Sequence, residues 1–370
     1  MEKSKMHRVI IGGGGTGGHV FPAIAIANAL RKKDPSLHIL FVGALGKLEM
    51  EKVPEAGYRI IGLPVSGLQR RLTWKNVVFV SNLMRSMVIS RRIIRTFRPD
   101  VAVGVGGYAS GPILRAASRK GIPLVIQEQN SYAGLTNRLL ARSASAICVA
   151  YEGMERYFPA QKVVLTGNPV RQHLFGSPDS RARHLEQFGL DRDAPVVLII
   201  GGSLGARTLN RAMMDGLEAF AQKNIQLLWQ TGRYYFQEAE ERVKASGLKN
   251  IRVLPFISRM EHAYGSADVI VSRAGAGTIS ELCLVGKPVI LVPSPNVAED
   301  HQTRNALALA EKGAALMISD QAAPQALVPA IMELAFDEER KTKLSGEIKK
   351  LAIVDSADRI ANEILKLIGI

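Results

Sequence analysis

A histidine stands at the mouth of a glycine turn close to the N-terminus, in Val9-Ile10-Ile11-Gly12-Gly13-Gly14-Gly15-Thr16-Gly17-Gly18-His19-Val20-Phe21-Pro22. An imidazole titrates near neutrality and can take a proton from a hydroxyl group. Before it, a short β-branched run stops at the glycines, and an apolar helical pattern (Ile24, Ile26, Ala27, Leu30) follows. A strand, a turn and a helix start in this order direct backbone N–H groups at an anion. A P-loop needs Lys and Ser or Thr where His19 and Val20 stand. GxGxxG is matched twice in overlapping registers, yet the strand at 37–43 ends without the acid that holds a ribose in dinucleotide folds. The turn suits a phosphate or pyrophosphate better than NAD.

Three more glycine turns follow strands, at Gly104–Gly111, Gly201–Arg207 and Ser272–Glu281. One such turn often serves only to let a helix pack closely, but four at strand ends point to ligands. The elements that must carry them alternate. Strands are expected at 8–11, 37–42, 58–61, 101–105, 124–127, 146–149 and 163–165, then at 196–200, 226–229, 251–254, 269–271, 289–292 and 315–318, with helices between. Buried apolar strands alternating with amphipathic helices belong to parallel, doubly wound α/β sheets. The pattern breaks near 166–178 and a polar stretch runs to Pro195, so two Rossmann-like domains facing a cleft are expected.

The chain has 370 residues, 47% hydrophobic and 22% charged, which fits two soluble domains. No apolar run approaches a membrane span and no signal peptide is read at the start. Cys148 and Cys283 lack metal-type spacing and are expected as buried thiols. A net charge of +15 calls for an anionic partner. Much of it lies within 69–98, where Arg70, Arg71, Lys75, Arg85, Arg91, Arg92, Arg95 and Arg98 flank Leu72, Trp74, Val78, Phe79 and other apolar residues. Such a stretch suits peripheral contact with anionic lipid. Nothing resembles a nucleic-acid-binding motif, so nucleic acid is not an expected partner.

The blocks GGGGTGGHVFPAIAIA (12–27), GGYASGP (106–112), QEQNSYAGLTNR (127–138), TGNPVR (166–171), GGSLGAR (201–207), SRAGAGTISEL (272–282) and EDHQTRNA (299–306) occur in order. Over residues 8–365 the chain resembles the bacterial UDP-N-acetylglucosamine–N-acetylmuramyl-(pentapeptide) pyrophosphoryl-undecaprenol N-acetylglucosaminyltransferases, the MurG family. The resemblance implies a GT-B fold, with an acceptor and membrane-associating domain at 1–168 plus 352–370. A UDP-GlcNAc-binding domain spans 169–351, and a helix near 356–368 crosses back to the first domain. It also implies inverting transfer of N-acetylglucosamine (GlcNAc) to the muramyl 4-hydroxyl of lipid I, giving lipid II and UDP on the cytoplasmic membrane face. Cell-wall synthesis and division proteins are the implied partners.

An inverting transfer needs a base for the acceptor hydroxyl and compensation for the departing diphosphate. His19 is the candidate base, with Glu128 as the alternative; capping α-helix or phosphate binding is the other role open to His19. The resemblance assigns the donor to Thr16, Gly17, Asn130, Arg171, Ser203, Phe256, Ile257, Ala276, Gly277, Thr278, Glu281, His301 and Gln302. Among these, Glu281 is the ribose ligand, Arg171 and Ser203 meet phosphate, and Gln302 offers a paired donor and acceptor. Gly14, Gly15, Gly18, Gly106, Gly107, Tyr108 and Asn137 are assigned to the acceptor, and Leu72, Trp74, Lys75, Val78, Phe79 and Arg85 to the membrane. Leu204 and His301 depart from glutamines common in the family, which puts their donor contacts in question. Asp191-Arg192-Asp193 precedes its strand and reads as a turn, so no cofactor or bound metal is expected. The rival readings are a GT-B enzyme for another lipid, a UDP-GlcNAc 2-epimerase and a non-catalytic nucleotide-sugar-binding scaffold.

Overall fold

The structure is a computed structural model that describes residues 6–65, 74–170, 180–202 and 205–370, with backbone alone at 74–78, 221 and 298. Internal packing divides the chain into two units, Met1–Val170 with Asp355–Ile370, and Arg171–Val354. The first unit runs β1 (Arg8–Gly12), α1 (Gly17–Lys33), β2 (His38–Ala44), α2 (Glu49–Glu55), β3 (Arg59–Leu63), α3 (Trp74–Phe97), β4 (Val101–Gly104), α4 (Ser110–Ser118), β5 (Leu124–Glu128), α5 (Leu135–Leu140), β6 (Ala146–Val149) and β7 (Val163–Leu165). The second runs α6 (Arg181–Glu186), β8 (Val196–Ile200), α7 (Arg207–Asp215), α8 (Leu217–Gln222), β9 (Gln226–Gln230), α9 (Phe236–Ser246), β10 (Ile251–Leu254), α10 (Met260–Ser266), β11 (Val269–Ser272), α11 (Ala276–Val285), β12 (Val289–Leu291), α12 (His301–Ala310), β13 (Leu316–Met317), α13 (Ala323–Phe336) and α14 (Glu338–Lys350). Finally α15 (Ser356–Lys366) belongs again to the first unit.

All thirteen expected strands form, and each sheet is parallel throughout. The first has the order β3-β2-β1-β4-β5-β6-β7 and the second β10-β9-β8-β11-β12-β13. Strand order therefore reverses between β1 and β4, and again between β8 and β11. Ligands of open α/β sheets bind at the carboxyl ends of strands beside such a reversal. The four glycine turns lie at those four strand ends.

Alternation along β1 feeds two cores. Val9 and Ile11 pack with α1 and α15, while Ile10 packs with α3 and α4 on the opposite face. All three are fully buried, each contributing about 1.5–3 kcal/mol of hydrophobic stabilisation. On α3, Ser86, Ser90, Ile93 and Ile94 turn inward. Val80, Met84 and Val88, spaced four apart on one stripe, stay exposed. Among the described residues no helix is long and apolar enough to cross a membrane. Cys148 and Cys283 are free and buried, and burial pushes both thiols up to about 12.

Candidate active site

β1 and β4 end side by side, with Gly12 paired to Gly104. Gly106 (φ 89°) and Gly107 (φ 82°) then turn toward α4 through a backbone region that side-chain-bearing residues rarely adopt. His19 sits in the first turn of α1, with Nδ1 3.1 Å from Thr16 Oγ1. The opposite edge of the ring lies over Gly106, where a Cβ would come within 2.8 Å of Cδ2 and 2.9 Å of Nε2. When Thr16 Oγ1 accepts from Nδ1–H, the ring lone pair falls on Nε2, as a base requires. α1 begins with no side-chain cap and no acid in its first turn, so the amides at Gly17 and Gly18 keep their positive pole open to an anion.

The expectation for Gly14 and Gly15 is corrected. Glu49, 1% exposed at the start of α2, accepts the Gly15 N–H through both oxygens at 3.0 Å and 2.9 Å. It also accepts the Ala44 N–H at 2.8 Å. Gly14 (φ 143°) is buried against the same carboxylate, and its carbonyl backs onto Gly107. This part of the turn therefore holds an internal anion instead of acceptor phosphate. Sequence reasoning missed Glu49 because 34 residues separate it from Gly15 and no local pattern links them.

Glu128 and Asn137 are corrected as well. Glu128 is 2% exposed, so its carboxylate is turned away from solvent and onto its own loop. Its Oε1 accepts from Asn130 N–H (3.1 Å) and Nδ2 (3.3 Å), and its Oε2 from Gly134 N–H (3.0 Å) and Asn137 Nδ2 (2.8 Å). Burial pushes this carboxyl above its ordinary value, against the opposing pull of the Gly134, Asn137 and Asn130 donors. The pair braces the 128–137 loop. Asn130 itself is half-buried at the loop's start. Beneath it, Gln127 donates to Asn168 (2.9 Å), Asn168 to Gln129 O (2.9 Å) and Gln129 to Val105 O (2.7 Å), tying the loop to the β4 turn.

Tyr108 is 56% exposed and opens onto an apolar groove of about 500 Å³ between α3, α4 and α5. Phe79, Leu83 and Met87 line it from α3, Leu139 and Leu140 from α5, and Arg115 adds a cation. Arg85 is exposed on α3. Of the other residues assigned to the membrane, Leu72 lies outside the described residues, as do the side chains of Trp74, Lys75 and Val78.

In the second unit Gly275, Ala276, Gly277 and Thr278 begin α11 at the end of β11, and no side chain caps this helix. A Cβ on Gly277 would meet nothing within 4 Å, so the start of the helix is open. Glu281 lies a turn further on and accepts the hydroxyl of buried Tyr264 at 3.2 Å. Tyr264, on α10, was not singled out from sequence. Phe256 is 55% exposed. Ile257 is buried, the core placement that the sequence left open beside a donor contact, with its N–H on Gln230 Oε1 (3.2 Å). Gln302 Oε1 accepts the Ser294 N–H (2.9 Å), which orients the amide and engages one of the oxygen's two lone pairs. His301 opens α12 after Glu299 (φ 55°) and Asp300 (φ 51°), two strained left-handed residues. Arg171, Ser203 and Leu204 lie outside the described residues. Asp193 N–H donates to Asp191 Oδ1 (3.1 Å), closing a turn on the amino side of β8.

Residues 9–149 match the glycosyltransferase family 28 N-terminal domain and residues 196–360 the family 28 C-terminal domain. A Parabacteroides distasonis protein named UDP-N-acetylglucosamine–N-acetylmuramyl-(pentapeptide) pyrophosphoryl-undecaprenol N-acetylglucosamine transferase is 55% identical over 98% of this chain and 99% of its own. A Bacteroides thetaiotaomicron protein of the same name is 54% identical over 99% of each. Among solved structures, Acinetobacter baumannii MurG has a TM-score of 0.80 at 29% identity, covering 97% of this chain and 99% of its own. With both units matched and the relatives aligned from end to end, the chain belongs to glycosyltransferase family 28 and, within it, to the MurG family of GT-B N-acetylglucosaminyltransferases.

Proposed function

We propose that this enzyme performs inverting transfer of GlcNAc from UDP-GlcNAc to the C4 hydroxyl of N-acetylmuramic acid in lipid I, giving lipid II and UDP for peptidoglycan synthesis. The observation that carries the chemistry is His19, held at the β1–β4 reversal between the Thr16 hydroxyl and the Gly106 turn. His19 Nε2 takes the proton from the acceptor hydroxyl, whose oxygen attacks the anomeric carbon from the face opposite UDP. The first unit binds lipid I, and the α1 amide at Gly18 meets its diphosphate, while Thr16 and Gly17 beside it face the donor. The second unit binds the donor. The open start of α11, together with Arg171 and Ser203, compensates the leaving UDP, and Glu281 takes the ribose hydroxyls. No metal is required in this scheme.

The exposed stripe of α3 and its arginines hold the first unit against anionic lipid on the cytoplasmic face, as a peripheral protein. Cell-wall synthesis and division proteins are its partners there.

The test is transfer from radiolabelled UDP-GlcNAc to a short-chain lipid I analogue, with UDP-GalNAc and a diacylglycerol acceptor as controls, repeated in EDTA. Label in lipid II that survives EDTA is the expected result. Label in another lipid, or in free epimerised sugar, would leave the fold intact and overturn the function.

A further inference from the structure

We infer that Glu49 is a positioning residue for His19: a built-in anion that fills the Gly14–Gly15 amide turn and fixes the segment from which the imidazole hangs. The inference rests on the proposed role of His19 as base. A peptide turn with converging N–H groups ordinarily collects an anion from solution or substrate. Here the chain supplies its own. The Glu49 carboxylate is 1% exposed and is held by backbone donors from two separate segments, Gly15 after β1 and Ala44 at the end of β2. Next to Gly15 stands Thr16, whose hydroxyl meets His19 Nδ1 at 3.1 Å. On its other side Gly14 is wedged between Glu49 and Gly107. The path from carboxylate to imidazole is thus the Gly15 N–H bond, two residues of backbone (Gly15 and Thr16) and the Thr16–His19 side-chain hydrogen bond.

Both backbone donors reach Oε1, so a glutamine can keep these two bonds while losing the charge and setting its NH₂, a donor, against the Gly15 N–H where Oε2 had accepted. Glu49→Gln and Glu49→Ala therefore separate shape from charge. Glu49→Ala vacates the space of a carboxymethyl group, lined by N–H groups, in which formate can replace the lost carboxylate. Loss of the clamp misplaces the base by a fraction of an ångström or more, and ~1 Å of misplacement costs ~100-fold in rate.

The experiment compares turnover of wild type, Glu49→Ala and Glu49→Gln with and without sodium formate, against sodium chloride at equal ionic strength. Expected are a ~100-fold fall in kcat for Glu49→Ala, partial recovery in formate alone, and an unchanged KM for UDP-GlcNAc. Glu49→Gln, its space filled, should fall less and gain nothing from formate. In parallel, the His19 ring resonances, assigned with His19→Asn, should shift in Glu49→Ala and return with formate. That second readout does not depend on which acceptor is used, so it separates failure of this inference from failure of the proposed reaction. Unmoved resonances, kcat within threefold of wild type, or a parallel collapse of donor binding in both variants would overturn the positioning role.

Discussion

His19 is placed by small neighbours: the Thr16 hydroxyl on one edge of its ring and the missing side chain of Gly106 on the other. If it is the base, His19→Ala should lower turnover by ~10²–10⁴-fold, the usual range for general-base removal, with little change in UDP-GlcNAc KM. A variant within threefold of wild type would return His19 to a capping or phosphate-binding role. Glu281 receives a comparable but milder adjustment from Tyr264, whose hydroxyl donates to one carboxylate oxygen at 3.2 Å. A hydrogen bond to a charged group contributes about 1.5–3 kcal/mol, so Tyr264→Phe should weaken UDP binding roughly 10–100-fold. The same change should barely affect a 2′,3′-dideoxyribose analogue of UDP. Equal weakening for both ligands would show that Tyr264 supports the helix and not the ribose contact.

Helices α3, α4 and α5 carry the apolar groove, and α3 adds the exposed stripe Val80, Met84 and Val88 with exposed Arg85, Arg91, Arg92 and Arg95 around it. Small Ser86 and Ser90 face inward beside Ile93 and Ile94, while Val80, Met84 and Val88 stay on the outside. Met84→Glu, which touches no core, should shift protein from anionic vesicles to the unbound fraction at vesicle sedimentation, while a short-chain acceptor still reacts. Added salt should weaken the wild type's binding, because cations near the surface contribute ~1 kcal/mol each and are screened. Unchanged sedimentation would assign the stripe to something other than lipid. This excess of apolar residues was readable in the sequence, as were the strand order's raw material and the glycine turns, since period and composition are local signals. Glu49, Tyr264 and the buried bracing by Glu128 were not. Glu49 and Tyr264 act across 34 and 17 residues of chain, and a carboxylate inside a glycine turn looks in sequence like any surface glutamate at a helix start; the Glu128 contacts are local, but no composition or period signal marks a carboxylate turned onto its own loop. Glu128 shows a different limit: an acid between two glutamines in a family motif drew a chemical reading, while its burial and its bonds to Gly134 and Asn137 were not legible.

At the scale of the whole chain, the last helix belongs to the first unit. α15 buries Ile360, Ala361, Ile364 and Leu365 in the core that also holds Val20, Ala23, Ile26, Ala27 and Leu30 of α1. The helix that carries His19 is therefore backed by residues read last from the chain, after the entire donor unit. The core of the second unit, built around Trp229, Phe220 and Leu327, contains none of them. Ile364 is fully buried, so Ile364→Ala should destabilise the first unit by about 2–5 kcal/mol, through lost transfer energy and the cavity left behind. Hydrogen exchange resolved by peptide is the fitting measurement. Amides of β1 and α1 should lose protection by a factor that matches the lost stability, while β8 and β11 keep theirs and the UDP dissociation constant stays put. Lipid I transfer should then fall with temperature earlier than donor binding does. Equal loss of protection in β8 and β11 would show that this one side chain stabilises both units, and that the partition seen in the two cores does not govern how the protein unfolds.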